Sequence, residues 1–149
     1  MNITFEGEGS FFTIYRIVLE EAINYVSKKL SLTIPPEIEW IIFEPNRNLP
    51  QVSSIEQSLS RAIIKNLPLK GHEYGHCIVK EKKIWISTVA IQSYNVATVQ
   101  RMKLPGIKQS NCLLANVIMD ELAHIITGKD HGDPIYDREL MSYRSRYYS

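Results

Sequence analysis

Cysteine is scarce in this sequence. Cys77 and Cys112 stand alone among 149 residues, which excludes a disulfide-stapled scaffold. An excess of charge is also missing: seventeen Lys plus Arg face sixteen Asp plus Glu, for a net +1. Nucleic-acid binders ordinarily carry a basic face, so no nucleic-acid partner is expected. No apolar run approaches the eighteen or so residues of a membrane span, so no membrane partner is expected either. The opening MNITFEGEGS is acidic and poor in apolar residues, unlike a signal or transit peptide. Phosphate-cradling glycine patterns and a G-x-S-x-G elbow are absent, leaving nucleotide and serine-hydrolase chemistry nothing to rest on. Together these absences point to a cytoplasmic protein with reduced thiols. A chain of this length, 44% hydrophobic, can build one full core without staples, so a single domain over residues 1–149 is expected.

What is present reads as alternating strands and helices. Residues 2–6 (NITFE) alternate like a strand. Ser10 is placed to cap a helix from about Phe11 to Leu30, with Phe11, Ile14, Val18, Ala22, Tyr25 and Val26 on its apolar side. Pro35 and Pro36 break the chain before Glu37–Phe43, which is β-branched and aromatic like a strand. Pro45 to Pro50 forms a loop. Ser53 and Glu56 make a capping-box pattern opening a second helix, with Ile55, Leu59, Ala62 and Ile63 on one side. His76–Lys80 and Lys83–Thr88 form a hairpin across a charged turn. After a stretch containing Pro105 and Gly106, Ser110 caps a third helix, and Gly128 ends it past Thr127. The remaining tail carries turn chemistry and an Arg/Tyr-rich end.

The third helix carries the residues with chemical potential. Asp120 and His124 are one turn apart, so both side chains can face a common centre. Glu121 lies between them. In an H-E-x-x-H zinc hydrolase the same spacing lets two ligands hold the metal while the glutamate stands beside the bound water. Gly128 allows the chain to turn back, bringing His131 toward the same centre as a third ligand, with Asp130 next door as its substitute.

Asp120-Glu121-Leu122-Ala123-His124, then Gly128, His131 and Leu140-Met141-Ser142-Tyr143, together resemble the metzincin class of zinc metallopeptidases. The upstream element order is similar to that of archaemetzincin-like members, with Gly75-His76-Cys77 and Ile86-Ser87 matching two strands ahead of the active-site helix. Two departures stand out: an aspartate occupies the first ligand position, and one extra residue separates His124 from Gly128. A cysteine-rich segment after the third ligand is also absent. The resemblance implies an α+β, zincin-like mixed twisted sheet backed by helices, with the active-site helix at about 110–127. It implies one Zn²⁺ per chain on Asp120, His124 and His131, with Glu121 as general base. It further implies Met141 beneath the metal in a Met-turn, Tyr143 stabilising the oxyanion, and a peptide or protein substrate along an edge strand near Gly75–Val79. A catalytically inactive, metal-free scaffold that binds a peptide or protein partner stands as the alternative, and hydrolysis of a non-peptide amide as a third.

A second segment, His72-Glu73-Tyr74-Gly75-His76, fits H-E-x-x-H letter for letter. It runs into a β-branched stretch, and in a strand positions four apart lie about 13 Å from each other, too far to share one ion. Metal binding by His76 and Cys77, with or without Cys112, would be adventitious. The terminal Tyr143-Arg144-Ser145-Arg146-Tyr147-Tyr148 mixes base and aromatic as single-strand binders do, but it is very short.

Overall fold

The computed structural model describes residues 1–6, 12–44, 74–93 and 113–149. Strand β1 (Asn2–Glu6) is followed by helix α1 (Phe12–Leu30) and strand β2 (Glu39–Phe43). A hairpin of β3 (Gly75–Ile78) and β4 (Lys83–Ser87) comes next, then helices α2 (Leu113–Thr127) and α3 (Pro134–Tyr147). The fold is therefore α+β. The four strands form one mixed sheet in the order β1-β2-β4-β3. β1, β2 and β4 are mutually parallel, and β3 runs antiparallel to β4 at the edge.

Register sorts the side chains. Ile3, Trp40, Ile84 and Cys77 are successive partners across the strands, as are Phe5, Ile42, Ile86 and Gly75. Because strand side chains alternate, these rows share one face, and Trp40, Ile42, Ile84 and Ile86 on it are fully buried. Helices α1 and α2 pack against the sheet, and α3 packs on those two helices. Full burial of each such side chain contributes roughly 1.5–3 kcal/mol. The opposite face carries His76 stacked on Trp85 (4.7 Å between ring centroids, 9° between planes), and Trp85 Nε1 donates to Glu6 Oε2 at 2.7 Å.

In α1 the buried stripe is Leu19, Ala22, Ile23, Val26 and Leu30, a 3.6-residue pattern. Ile14, expected on the apolar side, is exposed because Ile14, Val18 and Tyr25 form the rim of the stripe rather than its centre. Ser10 and Ser110, the helix expected from Ser53 onward, the Pro45–Pro50 loop, the Pro105–Gly106 stretch, His72 and Cys112 all lie outside the described residues.

The tail departs most from expectation. Residues 134–147 form a 14-residue helix, and Leu140–Tyr143 lies inside it rather than in a tight turn. The cause is local. Asp133 takes an extended conformation (φ −76°, ψ 129°) and its Oδ1 accepts the Ile135 N–H at 2.9 Å, an N-cap followed by proline at the first helical position. Tyr136, Leu140, Tyr143 and Tyr147, spaced by four, three and four residues, then form a buried stripe. Met141 is on the other side, 71% exposed, and supports no site. The Arg/Tyr-rich end is structural. Tyr147 meets Tyr25 edge-on at 5.9 Å, and Arg146 Nη1 donates to the carbonyl of Leu30 at 2.5 Å, satisfying the C-terminal turn of α1. None of the described helices is long and apolar enough to cross a membrane.

Candidate metal centre

Helix α2 runs through the middle of the molecule, lying against β3, β4, α1 and α3. Ten of its residues are buried, Glu121 and His124 among them, so these two polar side chains face a packed environment rather than bulk water. Its approach to β3 is close. A Cβ on Gly75 would stand 2.5 Å from Val117 Cγ1 and 3.7 Å from Glu121 Cγ, so only glycine lets the helix sit this near the edge strand. That contact sets Glu121 against the strand.

The helix ends in a way that builds the site. Gly128 takes a left-handed conformation (φ +68°), and its N–H donates to the His124 carbonyl at 2.8 Å. The chain then folds back. His124 Nδ1 lies 2.7 Å from the carbonyl oxygen of Lys129. A carbonyl only accepts, so Nδ1 carries the proton and the neutral ring keeps its lone pair on Nε2. His131, returning after the turn, puts its own Nε2 3.2 Å from His124 Nε2. Asp120 Oδ1 stands 3.9 Å from the same nitrogen. Ligand atoms of Asp120, His124 and His131 all lie within 4.8 Å of one another.

This arrangement could hold a metal ion. Tetrahedral zinc with nitrogen ligands at about 2.0–2.1 Å requires ligand atoms about 3.3 Å apart, which the two imidazoles meet and the aspartate approaches. Two imidazoles and a carboxylate are an accepted donor set, and a backbone carbonyl holding the far nitrogen of a ligand histidine is the usual outer support. His131, not Asp130, joins the group, although Asp130 lines the same cleft.

Two clefts of about 350 Å³ flank the triad and share Asp120, Glu121 and His131. One is walled by Gly75, His76, Cys77 and Val79 at β3, the other by Tyr74, Tyr136, Asp137 and Arg144 toward α3. Glu121 is 5% exposed, and burial pushes its carboxyl up to about 7, with the Cys77 thiol pulling the other way. Cys77 has a free thiol, and burial, reinforced by Glu121, pushes it well above the ordinary range, so it stays protonated as a weak donor. Burial likewise raises the carboxyl of Asp120, opposed by His131 and His124.

Of the residues singled out by sequence, the structure brings together Asp120, Glu121, His124 and His131. Tyr143 is not among them: it is fully buried in the core, lines neither cleft, and burial and Glu139 push its phenol up. The tyrosine at the triad is Tyr136, which sequence reasoning passed over. Its ring stacks on His124 (4.2 Å, 13°) and its hydroxyl donates to Asp120 Oδ1. The available signal was Asp133-Pro134, a helix start that puts Tyr136 in the first turn of α3. His76 lies on β3 with its ring against Trp85 and is not part of the triad. No family model, curated protein or solved structure matches the chain.

Proposed function

We propose that the chain is a zinc-dependent peptidase of zincin-like architecture. The observation that carries this reading is the pair of imidazole nitrogens 3.2 Å apart, with the His124 proton committed to Lys129 and its lone pair directed at His131. Asp120, His124 and His131 are the residues that would hold the ion. Bound there, zinc supplies a Lewis acid for the scissile carbonyl and a lowered pKa for the attacking water. Glu121, in the same cleft and held near neutrality by burial, takes the water's proton and passes it to the leaving amine. The edge strand β3 receives the substrate backbone as an added antiparallel strand beside the triad. The zincin-like reading draws support from three parallel strands, an antiparallel edge strand, and then a helix carrying D-E-x-x-H and a glycine turn to a third ligand.

Two measurements test it together. Protein purified without a histidine tag or chelator is expected to hold about one zinc per chain by elemental analysis, the stoichiometry of a single three-residue donor set. Glu121→Gln is expected to keep that zinc and to lose at least about 100-fold in peptide hydrolysis, the lower range for a general base. Undiminished hydrolysis in the variant overturns the mechanism. Absence of zinc after supplementation overturns the enzyme and leaves the metal-free binding scaffold.

A further inference from the structure

Tyr136 touches all three residues of the triad. Its hydroxyl donates to Asp120 Oδ1, its face lies against His124, and its ring meets His131 at 4.9 Å and 77°. It is 1% exposed, and it sits in the first turn of α3, which is capped by Asp133 below it and anchored by buried Tyr143 and Tyr147 above. From these contacts we infer that Tyr136 is the positioning residue of the metal centre, fixing the Asp120 carboxylate as a ligand.

Aspartate is a short ligand for a position one turn before His124, and an unrestrained carboxylate there would sample several rotamers. The phenol removes that freedom. It binds Oδ1, the oxygen that stands 3.9 Å from His124 Nε2. A carboxylate oxygen has two lone pairs, so accepting the phenol proton leaves Oδ1 one pair for a cation. The same ring, stacked on His124, sets the imidazole plane that the Lys129 carbonyl fixes from the other side. The dependence is mutual, because without Asp120 the buried phenol would lose the partner that satisfies it. Tyr136 thus acts through the ligands and not on the substrate.

The inference rests on the zinc reading, and the experiment separates the two. Zinc affinity by chelator competition and the visible spectrum of the Co²⁺-loaded protein are measured for wild type, Tyr136→Phe and Tyr143→Phe. Phenylalanine keeps the stacked ring and removes only the hydroxyl. Tyr136→Phe is expected to bind zinc about ten- to a hundredfold more weakly, as loss of an outer partner of a ligand does, and to alter the Co²⁺ bands; Tyr143→Phe does neither. Wild type that binds while Tyr136→Phe matches it in affinity and spectrum overturns this inference alone, even where the variant is less stable. Wild type that takes up neither ion overturns the zinc reading and this inference with it. Should Tyr136→Phe not fold, the near-UV tyrosine difference spectrum of wild type and Tyr143→Phe on zinc addition decides: a perturbation in both supports Tyr136, and its absence overturns the role.

Discussion

The sequence carries the same five-residue spacing twice, and the described residues of the two copies lie in different settings. His72 to His76 matches the zinc-hydrolase pattern in every letter, yet His76 lies on strand β3, its ring stacked on Trp85 on the face away from α2. Asp120 to His124 departs from the pattern at its first position, yet it lies on a helix, where a rise of 1.5 Å per residue keeps residues four apart within about 6 Å along the axis. Of the other copy, Tyr74, Gly75 and His76 are described, and Gly75 and His76 run as strand β3, where the rise is about 3.3 Å per residue and neighbouring side chains point to opposite faces. On the proposed reading, the residues that could hold a cation are set by the period of the backbone, and the letters matter only once that period is met.

The largest effect expected follows from this contrast. His124→Ala removes a ligand and is expected to weaken zinc binding by more than about a hundredfold, beyond what loss of an outer partner costs. His76→Ala is expected to leave zinc affinity unchanged and to lose its ring contacts with Trp85 and Phe43, each about 0.5–1.5 kcal/mol of stability. Zinc titrations of the two variants check both. The reverse ranking would move the centre to the strand and break the comparison.

A second prediction sharpens the contrast through buried charge. Glu121 is 5% exposed, and burial raises its carboxyl from 4.5 to about 7. The native state of the metal-free protein then binds more protons at this residue than the unfolded chain does between those values. The corresponding stability is full below about 4.5, is lost as the pH rises through 7, and amounts to about 3 kcal/mol. Glu121→Gln is expected to flatten this dependence and to make the metal-free protein more stable at pH 8, as read by denaturant titrations across the range. An unchanged slope would place Glu121 in a wetter setting than its packing against β3 implies. Glu121, which the active-site reading requires, thus costs stability as the pH rises when no cation is bound.

Much of the frame was legible because it depends on local pattern. Alternation over residues 2–6 and 83–87, the Pro35-Pro36 break and the 3.6-residue stripe of α1 each specify one element without outside help. Asp120, His124, Gly128 and His131 were legible for the same reason, their convergence being set by a helix turn and one left-handed glycine. The last helix was not. Asp133-Pro134 suits a turn as well as a helix start, and the choice is made by Tyr136, Leu140, Tyr143 and Tyr147 finding a core to fill. The Asp133-Pro134 start could place Tyr136 in a first turn, but its contact with Asp120 was not legible, since a contact between residues sixteen apart on two helices depends on how those helices pack. Assigning a role to Tyr143 from its place after Met141 failed because α3 turns that tyrosine into the core and Met141 out to solvent.

The smallest effect expected tests the hinge on which the helical copy depends. Gly128 holds φ +68°, and a Cβ there would meet nothing within 4 Å, so any cost of substitution is backbone strain and not crowding. Gly128→Ala is expected to cost about 1–2 kcal/mol, the penalty for a side chain in the left-handed region. Gly128→Asn is expected to cost less, because asparagine tolerates that region and serves as a helix stop. The strain has a chemical readout as well. The left-handed residue carries the chain back so that the Lys129 carbonyl meets His124 Nδ1 and His131 reaches His124 Nε2. Relaxing the turn toward φ below zero separates those groups, so Gly128→Ala loses zinc affinity along with stability while Gly128→Asn retains most of both. Equal affinities in wild type and Gly128→Ala would mean that His131 reaches the centre without the turn, and the helix alone, not the helix and its glycine stop, would account for the difference between the two copies.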